Sequence, residues 1–245
     1  MGLFKSLCSL FTSSDEDAVS APSNNPNTTN KVEANPPTVE KTTRTTNKSN
    51  DGMITEYVFD GEVKIGTQIK VEPLEWLFIT KDGAVVDVIQ EGIYVVNESS
   101  LPIFTSGVCY TVKLLESDKF RWGTTKPIIF ADNNYGMISL RVCGVYNYKI
   151  CDPVKILTDY INANGNLSLT DYTRTLVIEA VEKAIHNYNG SSYAQLPTAD
   201  ICKAVNDNLS ETGLRFTVQI QMITPTEETK ARIEQAMQNK IINNQ

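Results

Sequence analysis

His186 is the only histidine in the chain, four residues after Glu182 and among polar neighbours. A Ser-His-Asp triad, a zinc site or a cysteine–histidine pair would each have to recruit it. Its position on the polar side of a helical repeat places it near solvent instead, as an ordinary surface residue. The five cysteines, Cys8, Cys109, Cys143, Cys151 and Cys202, show no CxxC spacing. They therefore spell neither a zinc ribbon nor a disulfide framework, and a reducing compartment is expected. Cys143 and Cys151 share one face of a strand-to-helix segment and read as small packing residues. No GxxxxGK[ST] loop occurs, nor a GxGxxG after a strand, so phosphate cradles are missing. Asp15 and Asp17 lie in a polar tract, and Glu227-Glu228 open a helix, where the macrodipole accounts for acidic residues. These residues nominate no catalytic, cofactor-binding or metal-binding site, and the expectation is a non-enzymatic protein that carries no cofactor.

The element with the clearest pattern runs from Ile138 to Ile150. Ile138, Leu140, Val142, Gly144, Tyr146, Tyr148 and Ile150 take every second position, opposite Ser139, Arg141, Cys143, Asn147 and Lys149. This is the period of a strand buried on one face. Pro127 and Pro153 punctuate the strand system because proline donates no ladder hydrogen bond. Asp152 before Pro153 is the arrangement of an N-cap and first helical residue. Upstream, from Ile54 to Ala131, short apolar runs alternate with turn signals, among them Trp76 to Thr80 and Val85 to Ile89. Asp82-Gly83 between those two runs signals a type I′ hairpin.

Downstream, Ser168 and Asp171 are spaced as a capping box for a helix that turns Tyr172, Leu176, Val177, Ala180, Val181, Ala184, Ile185 and Tyr188 inward and ends at Gly190. A further helix from about Thr198 to Leu209 carries Ile201, Val205 and Leu209 on one stripe. Leu214, Phe216, Val218, Ile220 and Met222 then alternate with polar residues and return the chain to the sheet. Thr224-Pro225-Thr226-Glu227 reads as a capping box with proline at the first helical position, opening a last helix. Its narrow stripe of Ile233, Met237 and Ile241 suits self-association better than deep burial. Trp76 and Trp122 read as core residues.

The two ends of the chain differ in kind from this middle. In residues 1–11, Leu3, Phe4, Leu7, Leu10 and Phe11 recur at helical spacing with Cys8, leaving Lys5, Ser6 and Ser9 opposite. So short a helix needs a surface to fold upon, and a membrane face would serve, with those five apolar residues in contact. Met1-Gly2 with Ser6 also fits the N-myristoylation pattern in a eukaryotic host, with Cys8 as a palmitoylation partner. Residues 12–52 are rich in Ser, Thr, Asn and Pro, with almost no large apolar side chain. Such a segment does not offset its ordering entropy and reads as a disordered linker. Its roughly 40 residues would span roughly 35 Å if flexible. The division expected is thus an amphipathic segment 1–11, a linker 12–52, a folded domain 53–225 and a C-terminal helix 226–245.

Charge and hydropathy exclude other classes. The net charge of -7 and pI near 4.9 argue against nucleic acid as a partner, since phosphate contacts need clustered Lys or Arg. No run approaches the roughly 20 apolar residues of a spanning helix, and Lys5 interrupts the start before a secretory apolar region can form.

Arg121-Trp122-Gly123-Thr124 with Pro127, Tyr135-Gly136, Leu140-Arg141 to Gly144 and Tyr146, and Asp152-Pro153, in that order, resemble the SPFH (band 7) superfamily, most closely the bacterial branch described as YdjI-like or virion-core-protein-like. Lys64-Ile65-Gly66-Thr67-Gln68, Trp76 to Phe78, Gly92-Ile93-Tyr94 and Leu101-Pro102-Ile103 look similar to its first strands, and Ile223-Thr224-Pro225 to its closing segment. The resemblance spans roughly residues 54 to 240. It implies an α+β fold, strand-rich first and then helical, and a membrane-associated scaffold at the cytoplasmic face, peripheral to the inner side of the membrane. It also implies self-association and partner proteins not identified by the sequence. Typical members assemble through a long C-terminal coiled coil, for which this chain ends too soon, a departure that speaks against a large closed cage and leaves room for a dimer or small oligomer. An alternative reading is a soluble adaptor whose N-terminal helix docks in a partner's groove.

Overall fold

The apolar runs of the first half become strands because their β-branched and aromatic residues pair across short turns. The computed structural model describes residues 44–50, 52–59 and 62–243, with side chains between 52 and 239. Strands β1 (Arg44–Asn50), β2 (Ile54–Phe59), β3 (Gln68–Val71), β4 (Glu75–Lys81), β5 (Ala84–Ile89) and β6 (Gly92–Val95) precede helix α1 (Leu101–Ser106) and strand β7 (Val108–Lys113). An antiparallel sheet takes the order β1-β2-β7-β4-β5, while β3 and β6 form a separate ladder. That ladder and α1 cover one face of the larger sheet, burying Ile69, Val71, Leu77, Ile79 and Phe104 together. The β4–β5 hairpin closes through Asp82 at φ 52° and Gly83 at φ 78°, the two positive values that a type I′ turn requires.

Two expectations for this half change. Composition extends the linker through residue 52, yet Arg44–Asn50 pair antiparallel with β2, Arg44 opposite Phe59 and Asn50 opposite Ile54. A strand added at a sheet edge gains backbone hydrogen bonds and needs no apolar face of its own, so composition does not reveal it. Residues 1–11 and the linker before residue 44 lie outside the described residues. Leu101-Pro102-Ile103, likened to a strand, opens α1 instead, with Pro102 in the first turn, where its missing N–H costs nothing. Gly107 ends that helix against β4, and a Cβ there would lie 2.7 Å from both the Ile103 carbonyl oxygen and the Ile79 side chain.

The second half builds a sheet from β8 (Phe120–Gly123), β9 (Ile128–Asp132), β10 (Gly136–Ile150) and, later in the chain, β11 (Leu214–Pro225). The order is β11-β10-β8, with β9 pairing the start of β10. The alternation from Ile138 to Ile150 holds at every position, each of the seven residues being buried. Helices α2 (Pro153–Asn162), α3 (Leu169–His186) and α4 (Thr198–Leu209) supply the other side of that core. The same core reaches Ile54, Phe78 and Val112 in the first sheet, which is therefore packed on both faces. Asp152 caps α2 by accepting the Lys155 N–H at 3.0 Å, and Ser168 caps α3 by accepting that of Asp171 at 3.2 Å. On α4 the buried residues are the expected Ile201, Val205 and Leu209. Trp122 joins the core at 4% exposure, and Trp76 packs against it.

Corrections to this half come from backbone geometry. Helix α3 ends at His186 rather than Gly190, which sits at φ 91° and donates its N–H to the Ala131 carbonyl. Thr173, omitted from the inward set, is fully buried because its hydroxyl bonds both the Leu169 carbonyl and the Tyr146 phenol. Met222, which strict alternation puts with the inner residues of β11, is half exposed. The register with β10 shifts between Cys143 and Gly144, so Met222 faces Cys143 and Ile223 faces Val142. One unmatched residue, Gln221, reverses the faces beyond it, which alternation alone cannot foresee.

Candidate functional site

The terminal helix α5 (Glu227–Asn243) starts two residues later than the sequence suggests. Pro225 is the last residue of β11, opposite Leu140, and Thr226 is the cap, with its Oγ1 3.4 Å from the Thr229 N–H that it accepts. Thr226 also donates its N–H to the Ser139 carbonyl, while Thr229 Oγ1 accepts the Ser139 N–H at 3.2 Å. The first turn thus continues the edge of β10 beyond the point where β11 leaves it. Thr229 and Ile233 are buried at 3% and 7% exposure, and a cleft of about 460 Å3 separates the helix from Tyr135 and Ile138. Of the three self-association candidates, Ile233 is therefore occupied within its own chain, and Met237 stands 49% exposed. The Ile241 side chain lies outside the described residues.

A second cleft, of about 490 Å3, opens where the β4–β5 hairpin meets the end of α2, lined by Glu56, Asp82, Ser106, Tyr110, Asn164 and neighbours. Tyr110 hydrogen-bonds Glu56, and burial, followed by the Glu56 charge and that bond, pushes its phenol up to about 12. Tyr160 meets it edge to face at 6.1 Å and is raised in the same direction, by burial first and then by Glu56. Phenols held this way stay protonated at neutral pH, serving as donors rather than as bases or nucleophiles.

His186 is exposed, and its Nε2 donates to the Ile129 carbonyl at 3.0 Å, tying the end of α3 to β9. Cys109 is buried, Cys143 and Cys202 are half-buried, and Cys151 is exposed, all as free thiols. Among the described residues no group of three His, Cys, Asp or Glu side chains is placed to hold a metal ion. The membrane-contact candidates Leu3, Phe4, Leu7, Leu10 and Phe11 and the lipidation candidates Gly2 and Cys8 lie outside the described residues. Among the described residues no helix is long and apolar enough to cross a membrane.

Two arrangements escaped the sequence reading. Asp132, 5% exposed, accepts three backbone N–H groups, from Asn134 and Tyr135 on Oδ1 and from Tyr193 on Oδ2. It joins the β9–β10 turn to the segment after α3. Asn206 Oδ1 and Cys202 Sγ accept the N–H groups of Val218 and Ile220, so α4 covers the outer edge of β11. An acidic residue beside a turn was visible in the first case; nothing local marks the second.

The chain is thus α+β, with a strand-rich first half, helices packed on a long strand, a returning strand and a closing helix. The sequence model of the SPFH domain-Band 7 family matches residues 57–241. The chain belongs to this family. No curated protein matches it. SPFH proteins are generally non-enzymatic, membrane-associated scaffolds that oligomerise. In this SPFH chain the matched residues take in both sheets from Tyr57 onward and most of α5.

Proposed function

We propose that this SPFH protein is a non-enzymatic scaffold peripheral to the cytoplasmic face of a membrane. Residues 1–11 anchor it and the following polar tract tethers the folded domain. The family match over residues 57–241 carries this reading. The spacing of Leu3, Phe4, Leu7, Leu10 and Phe11 supports it, since one apolar edge at the headgroup boundary is how a short amphipathic helix holds to a bilayer. Gly2 and Cys8 would strengthen that hold if acylated, because two lipid chains anchor far better than one. Self-association runs through the exposed side of α5 around Met237, with Ile241 continuing the stripe.

Fractionation of cells expressing the full chain tests the location. The expected result is recovery with membranes, release by alkaline carbonate, and digestion of the domain only when protease reaches the cytoplasmic side. Recovery in the soluble fraction would favour the adaptor reading, in which the same apolar residues occupy a partner's groove.

A further inference from the structure

The face of the β11-β10-β8 sheet that turns away from the helices is open, and its charge is opposite in sign to that of the chain. Since Val142, Tyr146 and Tyr148 point into the core, Arg141, Val145 and Lys149 point outward. Arg121 lies opposite Val145, and Arg215 lies opposite Lys149. The outer face thus carries Arg121, Arg141, Lys149 and Arg215, all exposed. Over the eight-residue separation of Arg141 from Lys149 this is a strip roughly 27 Å long.

Two features make the strip unusual. Like charges directly opposite on neighbouring strands repel, and Lys149 faces Arg215 across the ladder. Among the described residues no carboxylate forms an ion pair with any of the four cations, the ion pairs present lying elsewhere. Glu116, exposed and directly opposite Lys149 across an antiparallel bridge, places one carboxylate on the same face at the strip's end, against four cations. Among the described residues the Arg141 guanidinium donates to the Thr124 carbonyl, at 3.4 Å, a neutral acceptor. A chain of net charge -7 therefore gathers four exposed cations, with one carboxylate at the end, on one sheet face.

We infer that this sheet face docks on an anionic lipid bilayer, with Arg121, Arg141, Lys149 and Arg215 bonding lipid phosphates. The inference rests on the membrane reading above and extends it from the anchor to the folded domain. Charge complementarity selects an acidic partner, and the strip's length of roughly 27 Å selects an extended one, since neither cleft is lined by these cations. The residues facing outward beside the cations, Cys143, Val145, Asn147, Thr217, Gln219 and Met222, offer no aromatic ring on which a base could stack, which disfavours single-stranded nucleic acid. Arginine suits the task because its planar fork bonds phosphate oxygens in pairs. A tether that keeps the domain near the surface raises the effective concentration of the strip there, so weak contacts suffice.

The test uses the full chain with vesicles of neutral phosphatidylcholine and of phosphatidylcholine containing about a third phosphatidylglycerol. The variants are Arg121→Gln with Arg215→Gln, all four cations changed to Gln, and Glu179→Gln with Glu182→Gln as a control on the exposed side of α3. Each cation removed is expected to weaken partitioning onto the anionic vesicles about fivefold. The double variant should then lose roughly 25-fold and the fourfold variant more than a hundredfold at low salt, with unchanged melting temperatures and an unaffected control. Wild-type affinity should fall as ionic strength rises. If wild type and the fourfold variant bind anionic vesicles equally, the strip is not a lipid surface, although the membrane reading survives. If wild type binds neither vesicle, both fall together.

Discussion

Replacing Gly144 by alanine asks whether the register shift in the long hairpin is a fixed structural feature. Gly144 follows the shift and faces Ile220, and a Cβ built on it would lie 1.9 Å from the Gln219 carbonyl oxygen and 3.0 Å from its carbon. Real Cβ contacts do not fall below 3.0 Å, so β10 and β11 must part by roughly 1 Å at this point. Backbone hydrogen bonds of about 2.9 Å do not survive such a separation. Two ladder bonds at about 1 kcal/mol each, with the cost of leaving a buried donor unmade, come to about 3 kcal/mol. For a folded unit of this size that is a fall in melting temperature of roughly 6–12 °C. Differential scanning calorimetry of the variant beside Gly190→Ala separates crowding from backbone preference. Gly190 has φ 91° but no atom within 4 Å of its Cβ position, and its replacement should cost only about 1 kcal/mol. A Gly144→Ala protein melting within 2 °C of wild type would show that the hairpin does not hold this register.

Asp132→Ala should cost about 2–4 kcal/mol in urea titration, since three buried N–H groups lose their acceptor, while Asp132→Asn, which keeps one carbonyl oxygen, should cost less. Tyr110 should resist ionisation in an absorbance titration near 295 nm until pH about 12. Because its folded value is raised above the ordinary 10.0, the stability it contributes is complete below pH 10 and declines as pH rises through 12; Tyr110→Phe should remove that alkaline component. Met237→Glu on the exposed side of α5 should shift the protein to a smaller species in light scattering after size exclusion, with its melting temperature within 2 °C of wild type.

What the sequence disclosed follows from how each element is stabilised. Ile138 to Ile150 and the stripe of Ile201, Val205 and Leu209 were legible because burial imposes a period on side chains. Asp152 and Ser168 were legible because a cap needs a particular side chain at a particular place. By contrast, β1 gains its place from backbone pairing at a sheet edge, and the Met222 reversal from one unmatched residue. Neither leaves a pattern in side-chain type. Ile233 illustrates a further limit: one apolar residue per turn does not tell whether the helix meets its own sheet or another copy. The cationic sheet face was hidden for the same reason as β1, since Arg121, Arg141, Lys149 and Arg215 are distant in sequence and meet only through strand pairing.

That residues 1–11 hold this SPFH scaffold to a membrane can be measured by flotation with neutral phosphatidylcholine vesicles, where the cationic strip has no anionic lipid to bind, of the full chain beside Leu7→Glu with Phe11→Glu. Substitution is preferable to truncation at Met53, which would remove β1 and expose the edge of β2. The unmodified chain should float with the vesicles and the double variant should remain largely in the dense fraction, both with the same melting temperature. Equal flotation of the two proteins, or of neither, would contradict it.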